Sequence, residues 1–123
     1  MKDREYQEVC KPLSKYIQLQ YPDVLFHFDL AGNKLTTLQA VKNKAIQKPG
    51  FKFPDLQIIR KGKPVLFLEL KHKDYRLKSG GIKSTQHIKE QKASLNDLER
   101  SECYALFACG FEEAVEIIDW YMK

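Results

Sequence analysis

Three charged side chains stand where short apolar strands should carry none. Pro54-Asp55 opens one apolar run, and fourteen residues beyond Asp55 the triplet Glu69-Leu70-Lys71 closes another, Val65-Leu66-Phe67-Leu68. Residues two apart on a strand face the same way, so Glu69 and Lys71 share a face while Leu70 points to the other. The runs 55–59 and 65–71 are joined by Arg60-Lys61-Gly62-Lys63-Pro64, a polar turn that predicts an antiparallel hairpin. Pairing Ile59 with Val65 then sets Asp55 across from Glu69. Two carboxylates at cross-strand distance repel unless a divalent cation lies between them. Such hard oxygen donors suit Mg²⁺ or Mn²⁺, with the Leu70 backbone carbonyl as a further ligand and water and a substrate phosphate in the remaining positions. Lys71 would stand beside the attacking water, orienting it or helping to deprotonate it, and would offset charge on the phosphate. This is the chemistry of metal-assisted phosphodiester hydrolysis. The same residues also read as an ordinary strand-end ion pair between Glu69 and Lys71, and the spacing alone leaves the two readings balanced.

The elements that must position these groups fit one domain of 123 residues, 43% hydrophobic and 30% charged. No apolar stretch approaches the ~20 residues of a membrane helix, and Met1-Lys2-Asp3-Arg4-Glu5 does not resemble the start of a signal peptide. The expectation is therefore a cytoplasmic protein with no membrane partner. Cys10, Cys103 and Cys109 have no C-x-x-C spacing and support neither a disulfide framework nor a zinc site. A net charge of +5 favours a polyanionic partner, and the positive residues cluster in 42–48, 60–63 and 71–83, whereas 112–119 is acidic.

Along the chain, Tyr6, Val9, Cys10, Leu13 and Ile17 recur at helical spacing within 3–20, with Pro12 expected to kink or delay that helix. A strand is expected over 24–30. A helix capped by Thr36 or Thr37 should turn Leu38, Val41, Ala45 and Ile46 inward and its lysines outward. After the hairpin come a helix from near Ser84, a strand over 103–109 and a closing helix over 111–121 with Ala114, Ile117, Ile118 and Tyr121 inward. Trp120 and Tyr121 read as core or interface. The order α-β-α-β-β-α-β-α predicts an α/β fold, a mixed sheet of about four strands flanked by helices. On the third helix Ser84, His87, Ile88, Gln91, Leu95 and Leu98 share one face, so its first half is polar where it should pack inward. Gln91 fits there if it overlooks the carboxylates and holds a ligand, water or phosphate oxygen; a satisfied amide at a partly exposed helix end is the competing reading. His27, between Phe26 and Phe28, reads as a half-buried structural histidine, and His72 and His87 are weaker candidates for substrate contact.

The pattern Phe53-Pro54-Asp55-Leu56, Leu66-Phe67-Leu68-Glu69-Leu70-Lys71, His87-Ile88-Lys89-Glu90-Gln91 with Leu98, and Tyr104-Ala105-Leu106-Phe107-Ala108 resembles the PD-(D/E)XK nuclease superfamily. More narrowly it is similar to the small stand-alone VRR-NUC domains of phages and bacteria, over nearly the whole chain. The resemblance implies a restriction-endonuclease-like sheet, Asp55 and Glu69 as metal ligands, Lys71 as the catalytic lysine, and a first-helix glutamate completing the metal site. By its spacing ahead of Tyr21-Pro22 that glutamate is Glu8, with Glu5 the fallback. The asparagine-glycine element that often follows the family's first strand is replaced by Asp29-Leu30-Ala31-Gly32-Asn33.

Lys73, Tyr75, Arg76, Lys78 and Lys83 surround Gly80-Gly81 in a basic loop suited to a phosphate backbone, and Lys42 and Lys44 add a second basic face. The expected function is a divalent-metal-dependent DNA endonuclease. By analogy with junction resolvases it would be selective for branched DNA such as four-way junctions and would act as a homodimer. The rival is a nucleic-acid-binding module on the same scaffold that does not cut, and these features do not distinguish RNA from DNA.

Overall fold

Proline at position 12 has no N–H to offer the carbonyl of residue 8, and the N-terminal helix accommodates this with a widened turn. In the computed structural model, which describes residues 3–29, 35–72 and 76–123, an α-helical start α1 (Asp3–Glu5) runs into a π-helical segment, Tyr6–Cys10, and then α2 (Lys11–Gln20). The Lys11 N–H closes the wide turn on the Tyr6 carbonyl, five residues back. Beyond it Leu13 and Ile17, one turn apart, are fully buried.

The sheet contains β1 (Leu25–Phe28), β2 (Leu56–Ile59), β3 (Leu66–Lys71) and β4 (Tyr104–Cys109), in that spatial order. The first two pairings are antiparallel, and β3 with β4 is parallel. The chain is therefore an α/β protein with a mixed four-stranded sheet flanked by helices, as the element pattern predicts. α4 (Gln86–Arg100) supplies the crossover that a parallel pair requires, and α5 (Gly110–Met122) closes the chain.

Alternation along β2 and β3 divides the core into two layers. Leu56, Ile58, Leu66, Leu68 and Leu70 pack with Val9, Leu13 and Ile17 from one side and with Ala114, Ile118 and Tyr121 of α5. On the opposite face Phe67, Ala105 and Phe107 pack beneath Leu95 and Leu98 of α4. The Tyr121 hydroxyl donates to the Pro64 carbonyl at 2.6 Å, and Lys63 Nζ and Arg60 donate to the Tyr121 carbonyl, so the β2–β3 turn holds the C-terminal end of α5. Trp120, by contrast, is half exposed and rests edge-on to Tyr104.

α3 (Thr37–Ile46) departs from expectation. Thr36 caps it in a reciprocal box with Gln39, but none of its residues is buried. Leu38 and Val41 remain more than 60% exposed, and Ile46 81%. Its apolar periodicity is real, yet among the described residues nothing packs against it closely enough to bury any of its side chains.

Candidate active site

The β2–β3 ladder pairs Leu56 with Leu68, Gln57 with Phe67 and Ile58 with Leu66. One step further out by the same count Asp55 faces Glu69, the register that the turn length predicts. Asp55 is half-buried, and Glu69, only 9% exposed, is with Ser94 one of two buried polar side chains among the described residues. The Leu70 N–H donates to Asp55 Oδ2 at 2.9 Å, so β3 itself fixes the first carboxylate. That N–H is the Leu70 backbone group seen to act on the pair; its carbonyl remains the proposed oxygen ligand.

Gln91 reaches down from α4 as the face pattern suggests. Its Nε2 donates to Glu69 Oε1, while its Oε1 accepts from Lys71 Nζ. One amide thus holds the acid and the base of the E-x-K triplet in fixed relation, each through the atom of matching polarity. Lys71 Nζ also lies 5.9 Å from the centroid of the Phe107 ring. Glu69 and Lys71 are therefore linked through Gln91.

Burial raises the Asp55 carboxyl to about 6, against the Leu70 N–H and Lys71, which favour its charged form, and with Glu5 adding repulsion. Glu69 is raised to about 8, first by burial and then by the charge of Asp55. These are two acids that cannot both ionise comfortably without a cation between them. Among the described residues no group of three or more His, Cys, Asp and Glu side chains is placed to hold a metal ion. The donors present fit the two-carboxylate kind of site that Mg²⁺ completes with water and phosphate.

The two first-helix carboxylates lie in different surroundings. Glu8 is exposed, accepts from Arg4 Nε at 3.1 Å and meets His72 Nε2 at 2.7 Å. The Arg4 and His72 contacts hold its carboxyl below the ordinary range. Glu5 is half-buried, and its charge repels both Asp55 and Glu69. The wide turn at Tyr6–Cys10 carries one more residue than an α-helical turn, so residues before and after it cannot be placed on one face by a 3.6-residue count. Cys10 lies close below, its thiol pushed up to about 12 by burial and then by Asp55 and Glu5, and so stays protonated.

The basic residues divide. Lys78 and Lys83 are exposed, the first within and the second just after a small turn closed by the Arg76–Ile82 bridge and by the Leu77 N–H on the Gly81 carbonyl at 2.6 Å. Arg76 is tied to Glu113 of α5 at 2.8 Å. Lys42 and Lys44 are exposed on α3, whereas Lys73 and Tyr75, like most of the 29–33 stretch, lie outside the described residues. His27, expected to be half-buried, is exposed, and His87 is exposed at the start of α4. Sequence reasoning gave Asp29 no role, yet its N–H donates to the Asp55 carbonyl at 2.8 Å, continuing the β1–β2 ladder into the row of Asp55 and Glu69. The signal that would have found it is the β1 register, which no short turn fixes. Comparison with family models, with curated proteins and with solved structures finds no significant match to this chain.

Proposed function

We propose that this chain is a divalent-metal-dependent DNA endonuclease, a VRR-NUC-like member of the PD-(D/E)XK superfamily acting on branched DNA. The observation that carries the reading is the Asp55–Glu69 pair, a half-buried and a buried acid in register at a sheet end with Lys71 held beside them by Gln91. A pure ion pair would not need the second acid, nor burial that raises both carboxyls above their ordinary range. Asp55 and Glu69 would hold Mg²⁺ or Mn²⁺, with a first-helix glutamate, Glu8 or Glu5, and the Leu70 carbonyl as further oxygens; Glu5 is the one whose charge acts on both acids. The bound ion supplies positive charge to the scissile phosphate.

The remaining work falls to the chain. Lys71 orients the attacking water and offsets the charge gathering on phosphorus, and Gln91 keeps its ammonium aligned. As the water oxygen bonds to phosphorus, the bond to one bridging oxygen breaks, the water gives up a proton and the leaving oxygen takes one. Lys78, Lys83, Lys42 and Lys44 would contact flanking phosphates, and a homodimer would bring two such sites to the two strands of a junction.

The test is a panel of plasmid, flap and four-way-junction DNA incubated with Mg²⁺ or Mn²⁺. Metal-stimulated cleavage is expected, with Asp55→Asn and Lys71→Ala each lowering it by at least about a hundredfold. Cleavage that survives both substitutions would sink the mechanism. Binding without cleavage of any substrate would favour the non-cutting module.

A further inference from the structure

Beside the acid pair, on the sheet face that carries α4, the structure has a cavity of about 220 Å³. α4 packs over Phe67, Ala105 and Phe107 of β3 and β4. The part of that face made by β1 and β2 is left open, and the cavity lies there. One cross-strand row forms its floor: His27 pairs with Gln57, and Gln57 with Phe67. The next row on the same face is Asp29, Asp55 and Glu69; Asp29 itself lines the cavity together with Pro54, and the floor lies about 7 Å, two strand residues, from that row.

We infer that this cavity receives one unpaired nucleobase of the substrate, from the nucleotide next to the scissile phosphate. The inference rests on the nuclease reading only for where that phosphate lies. Three observations carry it. The first is size: a cavity of roughly 150 Å³ takes up a benzene ring, so this one has space for a single heteroaromatic base and none for a base pair. The second is its aromatic wall. Phe53 is 57% exposed, an unusual cost for a phenylalanine, yet it is held by Phe51 at 4.9 Å edge-on and by Phe67 at 5.9 Å. A ring fixed in place and left open to water is a stacking platform that costs little further ordering when a base arrives.

The third is the polar edge. The Gln57 amide offers a donor and an acceptor side by side, and the exposed His27 ring offers one nitrogen of each kind when neutral. Among the described residues neither side chain has a hydrogen-bonding partner. A flat ring with donors and acceptors on its rim satisfies both while its face covers Phe53. Since a paired base presents neither a free face nor a free Watson–Crick edge, the cavity selects substrates with an unpaired nucleotide at the cleavage site, such as flaps, branch points and single strands.

The experiment places 2-aminopurine at the unpaired nucleotide of a flap, and at the equivalent paired position of a plain duplex, and titrates the full chain in EDTA so that binding is read without cleavage. Quenching of the unpaired probe is expected, with the flap bound more tightly than the duplex. Phe53→Ala and the milder Phe53→Leu should abolish the quenching and cut the flap preference roughly tenfold, and Phe53→Tyr should retain both. Quenching and preference that persist in Phe53→Ala and Phe53→Leu, or wild-type protein that treats flap and duplex alike, would overturn the inference. The same protein is then assayed with Mn²⁺. Stacking without metal-stimulated cleavage would leave the base pocket standing and remove the nuclease reading. Cleavage without quenching or preference would do the reverse.

Discussion

Asp55 and Glu69 have carboxyls at about 6 and about 8 in the folded chain, above their unfolded values of 3.8 and 4.5. The native state therefore holds more protons than the unfolded state between about pH 4 and pH 8. The stability this contributes is complete below pH 4 and is lost as pH rises through 6 and then 8. Without metal, the melting temperature should fall by roughly 5 °C or more between pH 5 and pH 8.5, and Glu69→Gln should flatten the profile. Mn²⁺ must displace the same protons, so its affinity should rise over that interval, and calorimetry in buffers of different ionisation enthalpy should register proton release. A melting profile indifferent to pH would show that the pair is not buried together. The two first-helix glutamates separate just as cleanly. Glu5→Gln should weaken Mn²⁺ binding by roughly tenfold, while Glu8→Gln, an exposed residue paired with Arg4 and His72, should leave it within about twofold. Asp55, Glu69, Lys71 and Gln91 were legible because strand alternation and helix periodicity hold where they lie. The differing surroundings of Glu5 and Glu8 were not, because a π turn does not keep helical count.

Among the elements, the β2–β3 hairpin was legible to the residue: its short turn admits few registers, and a slip of one would turn Leu66, Leu68 and Leu70 out of the core. β1 had no such constraint, since a loop and a helix separate it from β2, and so the row of His27, Gln57 and Phe67 could not be read. α3 was legible as a helix and misread as a packed one. Its pattern matches its cap, but burial depends on what space the sheet leaves. Ten residues held by a capping box and the Gln47–Asn43 side-chain bond, with nothing buried, lie near the lower limit for helix formation. Amide exchange should show α3 at least about a hundredfold less protected than α4 or β3, and Thr36→Ala should weaken it further without moving the global melting temperature by more than a degree or so. Protection in α3 equal to that of the core would contradict this.

For the molecule as a whole, the charge distribution was the legible part: a net +5 with the basic clusters and an acidic last helix are plain in the sequence. Which cations face outward was not, because ion pairs form across elements. Arg76 is already partnered by Glu113, whereas Lys78 and Lys83 are exposed. DNA affinity should fall linearly in log–log form with salt. Lys78→Ala and Lys83→Ala should each reduce the slope by about 1, and Arg76→Ala by less. Equal slope changes at all three positions would show that the Glu113 pairing gives way when DNA binds.

The wide turn ahead of Pro12 makes one residue a setting for everything before it. With alanine at position 12 an N–H would be available to the carbonyl of residue 8, and a turn tightened by one residue would rotate Glu5 and Glu8 together about the helix axis by roughly 100°. The proline thereby decides which side of the first turn the helix presents to the end of the sheet.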